Sequence, residues 1–314
     1  MNTTPSIAWL EFQETAWAIL AESTPLGSQA PGSATAPASL SELCARSRAV
    51  IGHSDSTARE QAWQHLEAAG LATGQQLAPE WASVIAMLAT SPVTGLATVG
   101  FGAIRGQVYW ALDRNRGVAC FQQSVLEPDG GRGFGATVRL ALFPAAELWT
   151  VMQALLPPLP SLLAPADEYP GGTGEPQFLT PWGPELVEHL HTHPGETPGQ
   201  ALRSLDLPSG LRSAIDDASP SLTLSVSTVS PGSTPDAVGL SRLGRWSIGA
   251  GQLFSFEDRT GPSGTLEPAV VWVATGHCAR WLEGAVAEAE AFLTADRAHA
   301  APHPAAMAVA GEWS

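Results

Sequence analysis

Residues 96–143, LATVGFGAIRGQVYWALDRNRGVACFQQSVLEPDGGRGFGATVRLALF, decide the fold. β-branched and aromatic runs between turn residues predict four strands there: Leu96–Ile104, Gln107–Leu112, Val118–Ser124 and Ala136–Phe143. Turns at Arg105-Gly106 and Asp113–Gly117 and a glycine-rich loop join them. Connections this short serve only antiparallel neighbours, because a parallel pair needs a crossover of about a dozen residues.

Upstream, the sequence predicts two helices. Thr57 and Glu60 have capping-box spacing, Gly70 suits the left-handed C-terminal position, and Ala62, Trp63, Leu66 and Ala69 form the apolar stripe. Pro79 fits a first turn, and Trp81, Val84, Ile85 and Leu88 recur at helical spacing until Ser91-Pro92. Downstream, a helix over Ala145–Leu156 carries Leu148, Trp149, Met152 and Leu155. The stretch Ile7–Leu20 is amphipathic with no decisive period.

The same order then runs again. Thr197-Pro198-Gly199-Gln200 is a second start signal and Pro208 opens a short helix. Strands follow at Leu222–Val229, Arg245–Ile248, Leu253–Phe256 and Ala269–Ala274. A last helix from Gly276 to about Thr294 aligns Leu282, Val286, Ala289 and Phe292. Pro79 and Pro208 lie 129 positions apart, and Trp149 and Trp281 132. The expected class is α+β, a quasi-twofold arrangement of two related halves with a largely antiparallel central sheet flanked by helices. Residues 1–156 form the first half, with a flexible loop at 23–39. Residues 157–174 are a Pro/Gly-rich connector, 175–294 the second half and 295–314 a disordered tail.

The 314 residues carry 30 acids against 15 basic side chains, a net charge of −15, and every basic one is arginine. Without a basic stripe, binding to nucleic acid or to an anionic membrane is excluded, since both need clustered positive charge. The absence of lysine beside abundant Ala, Gly, Pro and Arg is the composition of a GC-rich, actinobacterium-like genome. Cys44, Cys120 and Cys278 have no CxxC spacing and suit a reducing compartment. Met1–Gln13 lacks a signal-peptide pattern and no run reaches the ~18 apolar residues of a spanning helix. A cytoplasmic location is expected.

Candidate chemistry is sparse. His189, His191 and His193 could share a metal if they alternated on a strand, but Pro184–Val187 reads as a helix start, and on a helix i and i+2 diverge by about 200°. His277-Cys278 are adjacent, whereas catalytic Cys–His pairs are distant in sequence. Gly131, Gly133 and Ala136 have dinucleotide-fingerprint spacing, but a strand follows them instead of a helix. Gly244–Gly249 misses the nucleophile-elbow spacing around Ser247 by one residue. Asp167-Glu168 and Asp216-Asp217 read as solvated turns, and the tryptophans as core.

Several stretches resemble the EspG family of type VII (ESX) secretion chaperones: Thr57–Glu60, His65–Leu71, Leu77–Glu80, Met87–Pro92, Leu155–Pro160, Gly244–Ser247 and Val271–Ala274. The resemblance spans about 45–160 and 240–295. The chain departs from the family pattern at 23–39, at the histidine segment and in lacking a Gly-Gln-Phe-Gly stretch before the last strands. The resemblance implies a non-enzymatic cytosolic protein, without cofactor or metal, that captures a helical secreted partner such as a PE–PPE pair. It implies contact through the sheet surface, the second-half helices and an early hairpin, matched here by Ile104, Arg105, Gly106 and Gln107. Two other readings stay open: a metal-dependent hydrolase using His189, His191 and His193, and a subunit that homodimerises through exposed sheet edges.

Overall fold

The structure, a computed structural model, describes residues 7–23, 52, 54–102, 104–126, 132–215, 219–228 and 239–300. Residues 24–39 of the loop expected at 23–39, Asp216-Asp217, Cys44 and the tail beyond 300 lie outside the described residues.

Among the described residues ten strands form one antiparallel sheet in the order β1-β7-β6-β5-β4-β9-β10-β11-β12-β8, and β2 (Ala72–Thr73) pairs with β3 (Gln76–Leu77) in a separate ribbon. Its centre is the pair β4 (Val93–Phe101) and β9 (Ser221–Thr228), with Leu96 opposite Ser225. On one side β5 (Ile104–Asp113), β6 (Arg116–Leu126) and β7 (Arg132–Pro144) follow in sequence order, and β1 (Ala8–Gln13) closes the edge. On the other, β10 (Ser241–Gly249), β11 (Gln252–Thr260) and β12 (Leu266–Val273) follow, closed by the two-residue β8 (Gln177–Phe178). Each meander thus runs outward from the centre and meets an edge strand from earlier in its own half. This is the quasi-twofold α+β order expected from the sequence.

Side-chain alternation gives the sheet two faces. The first buries Val93, Ala97, Val99, Val108, Trp110, Leu222, Leu224, Val226 and Trp246. Over it lie the two helices that end the meanders, α4 (Leu148–Leu155, numbering helices in chain order) and α8 (His277–Ala300). The connector joins this core: Leu162 and Leu163 are buried in it, Gln153 Nε2 donates to the Leu163 carbonyl at 2.6 Å, and Trp149 Nε1 to that of Ala164 at 3.1 Å.

The second face is covered at both ends. Over β5, β6 and β7 lie α1 (Glu14–Glu22), α2 (Ser56–Ala68) and α3 (Pro79–Thr90), packing Trp17, Leu20, Leu66, Ile85 and Leu88 on Tyr109, Val118 and Leu140. At the other end α5 (Gly183–Thr192) leads into α6 (Pro198–Ser204) and α7 (Ser209–Ala214), whose Leu211 and Ala214 pack on Phe254 and Val270.

Several local expectations are corrected. The Ile7–Leu20 stretch has no single period because it holds two elements: β1 alternates, then α1 turns Ala16–Ala21 inward. The cap of α2 is Asp55, whose carboxylate accepts from the Ala58 N–H at 2.7 Å; the helix already includes Thr57, and Ala69 is exposed. The capping box at Thr197 does form, with Gln200 N–H to Oγ1 at 3.3 Å and Thr197 N–H to Gln200 Oε1 at 2.7 Å. The first hairpin turns three residues earlier than expected: Phe101 pairs with Ile104 across residues 102 and 103, so Arg105 and Gly106 lie within β5. β7 starts at Arg132, and α8 runs six residues past Thr294.

Candidate functional site

Between its two helical covers the second face is open. Across it run two rows of paired residues: Gln107, Thr98, Thr223, Arg245 and Phe256, then Tyr109, Leu96, Ser225 and Leu243. Tyr109 ends the second row beneath α3, where its hydroxyl donates to the Leu88 carbonyl at 3.0 Å. At the other end, Phe254 lies under α7. Among the described residues, Leu96 and Leu243 pack in none of the three cores, and Leu243 is 65% exposed.

The result is a trough floored by small polar side chains, Thr98, Thr223 and Ser225, with two leucines and two arginines. From β5 to β11 is four strand spacings, ~19 Å, which admits two helices packed ~8–10 Å apart. The trough lies over the β4–β9 pair, on the axis that relates the two halves.

At its β10 end the trough deepens. β10 and β11 pair only from Gly249–Gln252 to Arg245–Phe256 and then separate, whereas the corresponding β5 and β6 pair over their whole length. The cavity at this split measures ≈ 620 Å³ and is lined among others by Leu243, Arg245, Glu257, Asp258 and His277. Glu257 is held by Arg259 at 2.8 Å. Trp246 Nε1 donates to His277 Nδ1 at 3.0 Å, which leaves the neutral ring's proton on Nε2. Burial holds His277 below its ordinary value; Glu257 opposes this and Arg259 adds to it.

The four residues singled out for partner contact divide between the faces. Arg105 and Gln107 point to the trough side, half-buried. Ile104 alternates to the other face and stands with Phe101 at the hairpin tip, 38% and 51% exposed. Gly106 is buried, and a methyl there would meet Pro157 at 3.1 Å and Phe121 at 3.2 Å. The sequence reading missed Leu96, Thr98, Thr223, Ser225 and Leu243. The signal was present in β9, SLTLSVST, whose strict alternation announces one polar face.

The other candidates do not assemble into a reactive centre. His189, His191 and His193 belong to the last turn of α5 and its C-cap, as the helical reading has it. His189 stacks on His193 at 4.3 Å and its Nε2 lies 2.9 Å from Glu196, whereas these contacts do not include His191. Among the described residues no three His, Cys, Asp or Glu side chains are placed to hold a metal ion. Cys278 is buried in the first-face core, which pushes its thiol far up, so it is no ready nucleophile. Ser247 is buried mid-strand in β10, opposite Ser221 and Phe254. Asp167 and Glu168 are exposed in the short helix Ala166–Glu168, and Gly133 lies inside β7.

No helix among the described residues is long and apolar enough to cross a membrane. The family model of EspG matches residues 40–167, in agreement with the resemblance read from the sequence. That family is one of type VII secretion-associated chaperones. No curated protein matches the chain. Among solved structures, the dehydratase domain from the CurF module of curacin polyketide synthase aligns over 62% of this chain and 79% of that one. Identity is 8% and the TM-score 0.16, too low to carry any argument.

Proposed function

We propose that this protein is a cytoplasmic chaperone or adaptor of type VII secretion that holds a helical secreted partner, of the PE–PPE kind, in the trough of its second sheet face. The observation that carries this reading is the uncovered centre of the sheet. Strands β4 and β9 keep one face free of helices although both flanks are covered, and β10 is covered there only at its Ser247–Gly249 end, by α7. A protein that worked alone would gain ~25 cal/mol for each Å² of apolar surface it covered there, so Leu243 left 65% exposed beside half-buried Leu96 favours a second chain. The match to the EspG family over 40–167 spans α2 to α4 and strands β4 to β7 and supports the same role.

On this reading the protein is not an enzyme and needs neither cofactor nor metal. Its two halves, 1–156 and 175–294 about the 157–174 connector, act as one scaffold, and the exposed Phe101–Ile104 tip adds a contact outside the trough. A reversible holder needs complementary shape more than reactive groups. The test is co-expression with PE–PPE-type pairs of the same host, followed by size exclusion and hydrogen exchange. A stable complex with slowed exchange in β4, β9 and β10 is expected. Failure of every such pair to co-elute would refute the function.

A further inference from the structure

In a chain with 30 acids and 15 arginines, the three central strands contain no carboxylate, VTGLATVGF, SLTLSVST and SRLGRWSIG, and the last of them carries two arginines. Two guanidinium groups reach the open face, Arg105 from β5 and Arg245 from β10. Among the described residues neither is in an ion pair. Arg242, the other arginine of β10, alternates to the first face and is neutralised by Glu288 of α8 at 2.8 Å. Two carboxylates of β11, Glu257 and Asp258, line the cavity at the β10 end together with Arg245, and Glu257 is already paired with Arg259 at 2.8 Å.

Both free arginines are already positioned. Arg105 Nη1 donates to the Gly102 and Ile104 carbonyls at 2.7 and 3.0 Å, which leaves its other N–H groups to spare. The Arg245 guanidinium lies 5.8 Å from the centre of the Phe256 ring. A guanidinium held in place loses less freedom when it meets a carboxylate, and its fork matches both oxygens. Their strands are three spacings apart, ~14 Å. That lies between the ~8–10 Å axis separation of two packed helices and their ~18–22 Å full width, where side chains leaving the outer flanks towards the sheet would end.

Resting on the docking role above, we infer that the trough selects its partner by charge: a two-helix segment with a carboxylate on each outer flank, one for Arg105 and one for Arg245, around an apolar ridge seated on Leu96 and Leu243. Between them Thr98, Thr223 and Ser225 are short enough to let the partner's backbone approach. The acidic chain would repel a partner whose carboxylates fall away from these two positions, so the two arginines act as specificity residues.

The test uses the full-length chain and the PE–PPE-type pair that co-elutes with it, comparing wild type with Arg105→Gln/Arg245→Gln and with Arg105→Glu/Arg245→Glu. Affinity is measured at low and at high salt, and thermal melts check folding. The neutral variant should weaken binding about tenfold or more and flatten its salt dependence; the reversed variant should weaken it further. Replacing the partner's flanking Asp or Glu by Arg should restore binding to the reversed variant. Unchanged affinity in folded variants would overturn the charge selection and leave the docking role standing. If no pair co-elutes with wild type, both fall.

Discussion

The same change, glycine to alanine, should move stability in opposite directions at two positions. Gly95 lies mid-strand in β4, where a methyl group would overlap the indole of Trp110 and the carbonyl oxygen of Ser225. Neither obstacle can yield easily: Trp110 is fully buried in the first-face core, and Ser225 is held in the β4–β9 ladder. Overpacking of this kind costs ~1–3 kcal/mol, and with two fixed obstacles the upper end applies. Loss of unfolded-chain freedom returns ~0.4–1 kcal/mol, so Gly95→Ala should destabilise by about 2 kcal/mol. Gly284, by contrast, is exposed on α8 and its added methyl would meet nothing within 4 Å. There alanine should stabilise by up to ~1 kcal/mol through helix propensity. Urea unfolding followed by tryptophan fluorescence, with equal slopes, gives both numbers. If Gly95→Ala lost less than ~0.5 kcal/mol, below any overpacking cost, the placement of Trp110 against β4 would be wrong.

Two further outcomes follow from local chemistry. Asp55→Ala should cost α2 ~1 kcal/mol, whereas Thr57→Ala should stay within ~0.5, and the reverse ranking in thermal melts would restore Thr57 as the cap. His277 is held below its ordinary value in the folded chain, so the unfolded chain binds the proton first as pH falls. Its contribution is therefore present above the unfolded value of ~6.5 and lost as pH drops below it towards the folded value. Replacing His277 by Gln should make stability less steep between about pH 7 and 5; an unchanged slope would show that the burial of His277 does not govern it.

Much of the fold was legible because its signals are local. Pro79, Gly70 and the Thr197–Gln200 pair mark helix ends through the needs of a few adjacent backbone groups. The short connections between Leu96 and Phe143 permit only antiparallel strands. Signals that compete locally misled: Thr57 and Asp55 can both cap, and the difference lies in which one keeps an extended backbone. The first hairpin was misplaced because Gly102 and Gly106 both suit a turn, and pairing with β6 decides in favour of the first.

The candidate site was less legible, since an alternating strand shows that one face is polar without saying what covers it. Ser221, Thr223, Ser225 and Ser227 could equally have faced bulk water, a helix or a partner. By itself the sequence determined the strand and helix types, the antiparallel order and the repeated plan, because propensity, capping and short loops act within a few residues. Only the tertiary structure decided that the halves join through β4 and β9, that helices cover the flanks and leave the centre open, and that Arg105 and Arg245 share one face. Those facts depend on contacts between segments distant in sequence, from Leu88 with Tyr109 to the β4–β9 ladder, which no local pattern encodes.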